Sequence, residues 1–471
     1  MKTKILPLYL LAFALLLIGS GCKKIAGFSK KNLSFSVDTV IFDTVFTTIG
    51  STTKQFKIYN NENKTVNIES VELMGGENSP FRINLDGSSG KTFSNIQLEG
   101  NDSLFMFIEV TLKVNNQLNP MVIQDSIRFR TNGIDQYIQL AVWGQDMYYH
   151  YSYLGPGVKI LDTNEGTWPN DKPHLIYGAA FIDENKTLNI QAGTAIYLHK
   201  NAIIYNYKGT LNINGTLNNE VTLQGDRLES DYDNVSGQYY GIYFDSAKPS
   251  NINYAIIKNG TTGIHLFDKH SSTLPNEYTL TLTNTKISNN ANNGILLYSG
   301  AKVKADNCVI SKNGAFALLV LLSGDFNFNH CNLLGYNSEL QNQAVGIINH
   351  FNINGVTNVG SIHEGKLSNC VIYGDLGSEI AFDTIGQTAG VTLDFKIQNC
   401  LLKKATIETN PFIYKGGNIW NSNPLFTDIS LNNFKFTSSS PLFENGTNLY
   451  PYFNGTTIEG IALSTPNIGA Y

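Results

Sequence analysis

The second half of the chain is built on a repeat with two aligned columns. A small residue stands in the first column, and an aliphatic residue follows two places later in the second. The small column reads Ala255, Thr285, Cys308, Cys331, Cys370 and Cys400, and the aliphatic column reads Ile257, Ile287, Ile310, Leu333, Ile372 and Leu402. Successive members lie 30, 23, 23, 39 and 30 residues apart. This pattern indicates a solenoid, whose stacked rungs bury one continuous apolar core.

A rung of 23 residues has room for three short strands and three turns. Turn residues such as Asn259, Asn289 and Asn313 tolerate left-handed backbone conformations. The longest interval, between Cys331 and Cys370, is expected to carry a loop insertion. The pattern resembles the right-handed parallel β-helix family, and we expect that fold over residues 150–471, with a C-terminal cap. A propeller or a jelly roll is the alternative.

Three further phrases carry a narrower resemblance. They are "GDRLESDYDNVSGQYYGIYF", "INYAIIKNGTTGI" and the terminal "NIGAY". All three are similar to β-helix lipoproteins of Bacteroidetes. The resemblance implies that the terminal phrase marks the end of the solenoid core, where the preceding segments cap the last rungs.

The N-terminus has the features of a targeting segment. The basic "MKTK" is followed by an apolar run of signal-peptide length, and "GSGC" ends at Cys22. Small residues directly before a cysteine resemble the lipobox of bacterial lipoproteins, although Gly19 stands where that family usually has Leu. The resemblance implies a signal peptide over 1–21, lipidation of Cys22 and a tether over 22–32. An ordinary signal peptide is the alternative.

Residues 33–147 are expected to form an antiparallel β-sandwich. Apolar residues alternate with polar ones in short segments such as "TKQFKIYNN" and "DSIRFRTNG", which is the pattern of strands with one buried face. The segment resembles the immunoglobulin-like domains that precede larger modules in Bacteroidetes lipoproteins. The predicted fold class is therefore all-β, an antiparallel sandwich followed by a β-helix.

The sequence argues against familiar β-helix catalysis. Lyases of this fold use clustered Asp to hold Ca²⁺ and an Arg or Lys base, yet only Arg227 among the four arginines lies in the solenoid half. The acidic residues of the repeat do not share a column, whereas hydrolases need paired carboxylates. We therefore predict no catalytic residues and no metal site, although a divergent enzyme remains an alternative.

One acidic stretch is a candidate binding site. Oxygen ligands there are suited to Ca²⁺, and neighbouring tyrosines are suited to stacking on sugars. The candidate glycan- or cation-binding residues are Asp226, Arg227, Glu229, Asp231, Tyr239 and Tyr240. The alternative is a long turn in which Asp226 pairs with Arg227 and the other side chains are solvated.

The cysteines are better explained by structure than by chemistry. Four of the five, Cys308, Cys331, Cys370 and Cys400, fall in the small column, once per rung. A nucleophile would not be copied in this way, and metal ligands would converge rather than stack. Free Cys is among the most buried residue types, so we predict an internal column of free thiols, with a disulfide between neighbouring rungs as the alternative.

These observations predict a lipid-anchored outer-membrane protein whose β-helix surface binds a glycan or a protein without catalysis. The alternatives are a polysaccharide lyase or glycoside hydrolase with divergent residues, and a structural spacer. The predicted partners are the membrane, through Cys22, and a polysaccharide or envelope protein. The net charge of −5 gives no basic footprint for nucleic acid. We expect a monomer without cofactors, with Ca²⁺ as the one ion considered.

Overall fold

The computed structural model describes residues 28–114, 121–151, 166–268, 277–336, 338–386, 390–407, 410–448 and 455–471. They form two compact units that divide between Asp146 and Met147. The described residues contain no α-helix, and 3₁₀ turns cover Gly76–Asn78 and Ser230–Tyr232. The predicted all-β fold class is confirmed. Cys22 lies outside the described residues.

The N-terminal unit is a sandwich of two five-stranded sheets. Its strands are β1 Ser34–Phe35, β2 Thr39–Phe46, β3 Lys54–Asn60, β4 Val66–Leu73, β5 Phe81–Leu85, β6 Ser88–Gly90, β7 Thr92–Leu98, β8 Asp102–Val110, β9 Met121–Thr131 and β10 Ile134–Gln145. The sheet orders are β1-β3-β8-β5-β6 and β2-β10-β9-β4-β7. The pairing is antiparallel except for β2 with β10, which is parallel. Alternating residues such as Phe56 and Ile58 are buried, so strand period two builds the core as predicted.

The C-terminal unit is a parallel solenoid. Its first strands are β11 Tyr148–Tyr151, β12 Thr167–Trp168, β13 His174–Tyr177, β14 Ala179–Ile182, β15 Thr187–Gln191, β16 Ala195–Leu198, β17 Ile203–Tyr207, β18 Thr210–Asn214, β19 Val221–Gly225, β20 Gly241–Asp245, β21 Ser250–Asn253, β22 Ala255–Lys258, β23 Ile264–Phe267, β24 Leu280–Thr283 and β25 Lys286–Ser288. The later strands are β26 Ile295–Tyr298, β27 Lys302–Asp306, β28 Val309–Ser311, β29 Leu318–Leu321, β30 Asp325–Asn329, β31 Asn332–Gly335, β32 Val345–Ile348, β33 His350–Ile353, β34 Val356–Val359, β35 Ile362–Ser368, β36 Val371–Gly374, β37 Ile380–Asp383, β38 Leu393–Gln398, β39 Leu401–Leu402 and β40 Ile419–Trp420.

These strands form three long parallel sheets, so each full rung contributes one strand to each sheet. The eleven-stranded sheet has the order β11-β13-β16-β19-β22-β25-β28-β31-β36-β39-β40. The nine-stranded sheet has the order β12-β15-β18-β21-β24-β27-β30-β35-β38, and the eight-stranded sheet has the order β14-β17-β20-β23-β26-β29-β32-β37. The antiparallel hairpin β33–β34 lies in the longest interval of the repeat, where an insertion was expected.

The interior is a stack of aligned apolar columns. In the nine-stranded sheet one such column runs through in-register residues that are all buried: Ile190, Ile213, Ile252, Leu282, Ala305, Phe328, Leu367 and Ile397. Because side chains alternate along a strand, each neighbouring column faces outward. The outward columns are therefore free of the core's packing demands.

The corner between the nine- and eleven-stranded sheets is a single left-handed residue. Six successive rungs have positive φ there, between 45° and 59°, at Tyr254, Asn284, Asn307, His330, Asn369 and Asn399. Asn tolerates this conformation because its short polar side chain bonds locally. The Asn307 amide donates to Asn284 Oδ1 at 2.7 Å, so the corner also forms a hydrogen-bonded ladder between rungs.

The C-terminal segment packs along one side of the solenoid. Phe434, Ile468 and Tyr471 belong to a cluster with outward residues of the eleven-stranded sheet, including Val309 and Val371. This placement shields apolar side chains that would otherwise face water. The segment predicted as a cap therefore covers a sheet face.

Candidate functional site

The outer face of the eight-stranded sheet carries two aromatic columns, which we call the aromatic face. The first column reads Phe181, Tyr205, Tyr243 and His265, and the second reads Tyr207, Asp245, Phe267 and Tyr298. Each of these residues is half-buried, while its neighbours along the strand are buried in the core. Strand alternation within the repeat thus positions the aromatic rings side by side on the surface.

The rings of the aromatic face stack on one another. The ring centroids are 5.3 Å apart for Phe181 and Tyr205 and 4.9 Å apart for Tyr205 and Tyr243. Tyr243 then meets His265 edge-on at 4.5 Å. Because most ring faces are turned toward a neighbouring ring, the edges and hydroxyl groups are left for a ligand.

Two polar contacts order the aromatic face. The Tyr205 hydroxyl donates to Asp245 Oδ2 at 2.6 Å, and the Tyr240 hydroxyl lies 2.9 Å from His265 Nδ1. Burial raises the pKa of Tyr243 to about 12 and lowers the pKa of His265 to about 4. His265 is therefore neutral at ordinary pH, and Asp245 is the one acidic residue in the two aromatic columns as listed above.

The acidic stretch that the sequence singled out does not converge on a point. Asp226 Oδ2 contacts His199 Nδ1 at 2.7 Å, while Arg227 contacts Glu229 at 3.0 Å, so the expected pairing of Asp226 with Arg227 is wrong. Asp231 is exposed in a 3₁₀ turn. Within the described ranges, no three His, Cys, Asp or Glu side chains are grouped to hold a metal ion. The stretch therefore offers no assembled Ca²⁺ site among these residues.

The two candidate tyrosines lie in different environments. Tyr239 is only 1% exposed and belongs to the solenoid core, with its hydroxyl donating to the Lys258 carbonyl at 2.9 Å. Its assignment as a glycan-binding side chain is therefore corrected, because a ligand cannot reach the ring. Tyr240 is half-buried and touches the aromatic face through His265. One of the two tyrosines is thus part of a surface.

The four solenoid cysteines lie in register inside the core. The pairing of β25, β28, β31, β36 and β39 aligns Cys308, Cys331, Cys370 and Cys400, and all four are fully buried free thiols. Each thiol donates to the carbonyl two residues earlier, at 3.1–3.3 Å. Burial raises the pKa of Cys331 and of Cys400. The column is packed away from any ligand.

Sequence reasoning missed most of the aromatic face. It identified the repeat columns and the neighbouring Tyr240, but not the outward residues of these strands. A signal was present, because Tyr205, Tyr243 and His265 occupy the alternate positions of consecutive rungs. Their alignment depends on the length of the 226–240 loop, which cannot be judged before the neighbouring strands are placed.

Comparison with known proteins agrees with the architecture. Residues 174–333 match the family model described as a right handed beta helix region. No curated protein matches the chain. Together with the long parallel sheets, the family match defines the class as a right-handed parallel β-helix.

Several solved structures show weak similarity. A family 123 glycoside hydrolase from Clostridium perfringens is 9% identical with a TM-score of 0.17, over 25% of this chain and 26% of that one. The catalytic unit of a GH87 alpha-1,3-glucanase from Streptomyces thermodiastaticus is 10% identical with a TM-score of 0.28, over 74% and 66%. The mannuronan C-5 epimerase AlgE6 A-module of Azotobacter vinelandii is 10% identical with a TM-score of 0.24, over 60% and 70%. Similarities at this level say nothing about the activity of the chain.

Proposed function

We propose that this chain is a lipid-anchored envelope protein whose β-helix binds a glycan on the aromatic face without cleaving it. The observation that supports the proposal is the pair of aromatic columns across four neighbouring strands, β14, β17, β20 and β23, with Tyr298 continuing on β26. Ring edges offer apolar contact, and the Tyr hydroxyls donate and accept hydrogen bonds. A sugar chain presents C–H groups that can contact the rings and O–H groups that can bond to the Tyr hydroxyls.

The expected ligand is uncharged. Asp245 already accepts a hydrogen bond from Tyr205, and His265 is neutral at ordinary pH. Lys208 lies 4.9 Å from the Tyr207 ring centroid and 3.9 Å from Glu184, so its charge is partly balanced. A polyanion would find few cations here, and a neutral glycan needs none.

The placement of carboxylates favours binding over hydrolysis. Glycosidases of the usual type need two carboxyl groups about 5–9.5 Å apart. The carboxylates in the two outward columns are those of Asp245 on β20 and Asp383 on β37, five strand spacings apart in the described sheet. At ~4.8 Å per spacing this is roughly 24 Å, far beyond the reach of one glycosidic bond.

The test is binding of neutral and acidic polysaccharides to the purified protein, with assays for reducing and unsaturated ends. We expect binding without new ends, and a loss of about tenfold or more in affinity for Tyr243→Ala. Tyr137→Ala, which removes an exposed tyrosine of the N-terminal unit, is the matched control and should bind normally. Release of new ends would overturn the non-catalytic proposal, and equal binding by both variants would remove the aromatic face from it.

The anchoring part of the proposal depends on the N-terminal sequence. No helix within the described residues is long and apolar enough to cross a membrane. Acyl chains on Cys22 would hold the protein to the outer membrane, with the sandwich as an immunoglobulin-like spacer and a polysaccharide or envelope protein as partner. Cys22→Ala should shift the protein out of the membrane fraction or leave its signal uncleaved. Normal processing and membrane fractionation of the variant would contradict lipidation.

A further inference from the structure

A second candidate surface lies on a different sheet. A cleft of about 210 Å³ opens between the outer face of the nine-stranded sheet and residues 456–471. Thr281, Lys304 and Asp306 line it from β24 and β27, and Thr457 and Tyr471 line it from the C-terminal segment. The cleft is smaller than the ~300–1,000 Å³ of pockets for drug-sized ligands, so its size suits a single small ring.

The C-terminal wall of the cleft is held by hydrogen bonds. His330 Nδ1 lies 2.9 Å from the Asn467 carbonyl, so this nitrogen carries the proton and donates. The Gly469 amide donates to the Asn369 carbonyl at 2.7 Å, and the Ala470 amide donates to Asn332 Oδ1 at 3.1 Å. These contacts tie the segment to two successive rungs, so the cleft is formed before a ligand arrives.

The floor of the cleft carries an ion pair. Lys304 Nζ lies 3.3 Å from Asp306 Oδ2, and their side chains are only 19% and 16% exposed. Two further titratable groups line the cleft, and burial lowers the pKa of His330 and raises the pKa of Tyr471 to about 12, which favours the uncharged form of each. A charged ligand would compete with one partner and leave the other partly desolvated. An uncharged ligand with several hydroxyls can instead accept from the ammonium and donate to the carboxylate at once.

The remaining walls have the mixed character that sugars need. Thr283, Thr457 and Asn329 offer hydroxyl and amide groups, whereas Leu463 and the ring of Tyr471 offer apolar surface. A sugar ring has hydroxyls around its rim and C–H groups on its faces. The combination matches one sugar residue better than a flat aromatic or a purely apolar ligand.

We propose that this cleft binds one uncharged sugar residue, at a site separate from the aromatic face. The site needs neither the lipid anchor nor the aromatic face, so it stands or falls independently of the proposed function.

The experiment is a ligand-observed NMR titration of the full-length protein in a zwitterionic detergent. The probes are D-glucose, D-galactose, D-mannose and N-acetyl-D-glucosamine, with D-glucuronate as the charged comparison. We expect at least one neutral sugar to bind, and glucuronate to bind more weakly than that sugar. Binding by none of the four neutral sugars, or tighter binding of glucuronate, would overturn the proposal.

Two pairs of variants locate the binding. Thr281→Phe fills the cleft and should weaken binding about tenfold or more, whereas Asn251→Phe, its register partner outside the cleft, should not. Asp306→Asn should weaken binding similarly, whereas Asp394→Asn, from the exposed pair with Lys396, should not. Thermal unfolding checks that each variant folds, and Tyr137→Ala should leave monosaccharide binding unchanged. If the folded Thr281→Phe variant still bound the sugar with unchanged affinity, the sugar-binding site would not be this cleft.

Discussion

The outer faces of the eight- and nine-stranded sheets differ sharply although their inner faces are alike. Outward from the nine-stranded sheet runs a polar column of in-register side chains: Asn189, Asn212, Asn251, Thr281, Lys304, Asn327, Lys366 and Lys396. The matching column of the eight-stranded sheet begins Phe181, Tyr205 and Tyr243. Since both sheets bury the same kind of aliphatic column, the rung dictates the inward residues and leaves the outward ones open to function.

The outward side chains of the two sheets are stabilised by different kinds of contact. On the polar column, Lys366 pairs with Glu364 at 2.7 Å and Asn212 donates to Asn189 Oδ1 at 2.9 Å. On the aromatic face, the rings stack and Tyr205 bonds to Asp245. The polar column is suited to hydrogen bonding with a small polar ligand, and the aromatic face is suited to a longer, partly apolar one.

The largest expected effect separates inward from outward residues. Leu297 and Leu296 are neighbours on β26, but Leu297 is fully buried and Leu296 faces outward. Leu297→Ala should lower the free energy of unfolding by about 2–5 kcal/mol, because it leaves a cavity in a core column. Leu296→Ala should cost less than about 1 kcal/mol. Urea denaturation followed by circular dichroism gives both values, and equal losses would refute the assignment of faces.

Much of this architecture could be predicted from the sequence, because each rung of the solenoid contacts only its neighbouring rungs. The residues of one core column, such as Ile287 and Ile310, recur at rung spacing, and their burial depends only on stacking neighbours. The left-handed residues at Asn259 and Asn289 follow from the same logic, although the third rung uses Lys312 rather than Asn313. The periodicity therefore indicated a solenoid, whereas the right-handed parallel β-helix was expected from the resemblance to that family.

The candidate sites were not readable in the same way. Tyr239 and Tyr240 are adjacent in sequence, yet the first enters the core and the second reaches the surface. Loop length decides which of them points inward, and the sequence does not fix it. The cleft beside the nine-stranded sheet brings together Lys304 and Tyr471, which are more than 150 residues apart in the sequence. The hydrogen bonds that hold its C-terminal wall do not follow the repeat, so the repeat pattern does not predict them.

A buried carboxylate at the edge of the eight-stranded sheet gives the next largest effect. Glu379 is fully buried just before β37, where it accepts hydrogen bonds from the Leu376 amide at 2.7 Å and the Ala344 amide at 2.9 Å. Burial raises its pKa from 4.5 to about 7, with Lys403 opposing and Asp375 assisting the shift. Because the folded pKa is the higher one, the folded state holds the proton more tightly than the unfolded chain does.

The free energy of unfolding that Glu379 contributes therefore falls as the pH rises. The contribution of Glu379 to stability is fully present below about pH 4.5 and is lost as pH rises through about 7. Relative to Glu379→Gln, the wild-type protein should lose roughly 2–3 kcal/mol of unfolding free energy across that range. Urea titrations at several pH values measure the difference, with the exposed Asp231→Asn as control. A difference that is flat with pH would contradict the assignment.

The smallest expected effect compares one hydrogen bond from each face. Tyr205→Phe keeps the stacked ring but removes the bond to Asp245, which should cost about 0.5–1.5 kcal/mol because a carboxylate loses its donor. Asn212→Ala removes a ladder bond at 2.9 Å whose partners remain accessible to water, and it should cost less than about 0.5 kcal/mol. Denaturant titrations of the two variants give the ranking. If Asn212→Ala proved the more costly, the polar column would be holding the rungs together, and its outward residues would not be free to serve a ligand.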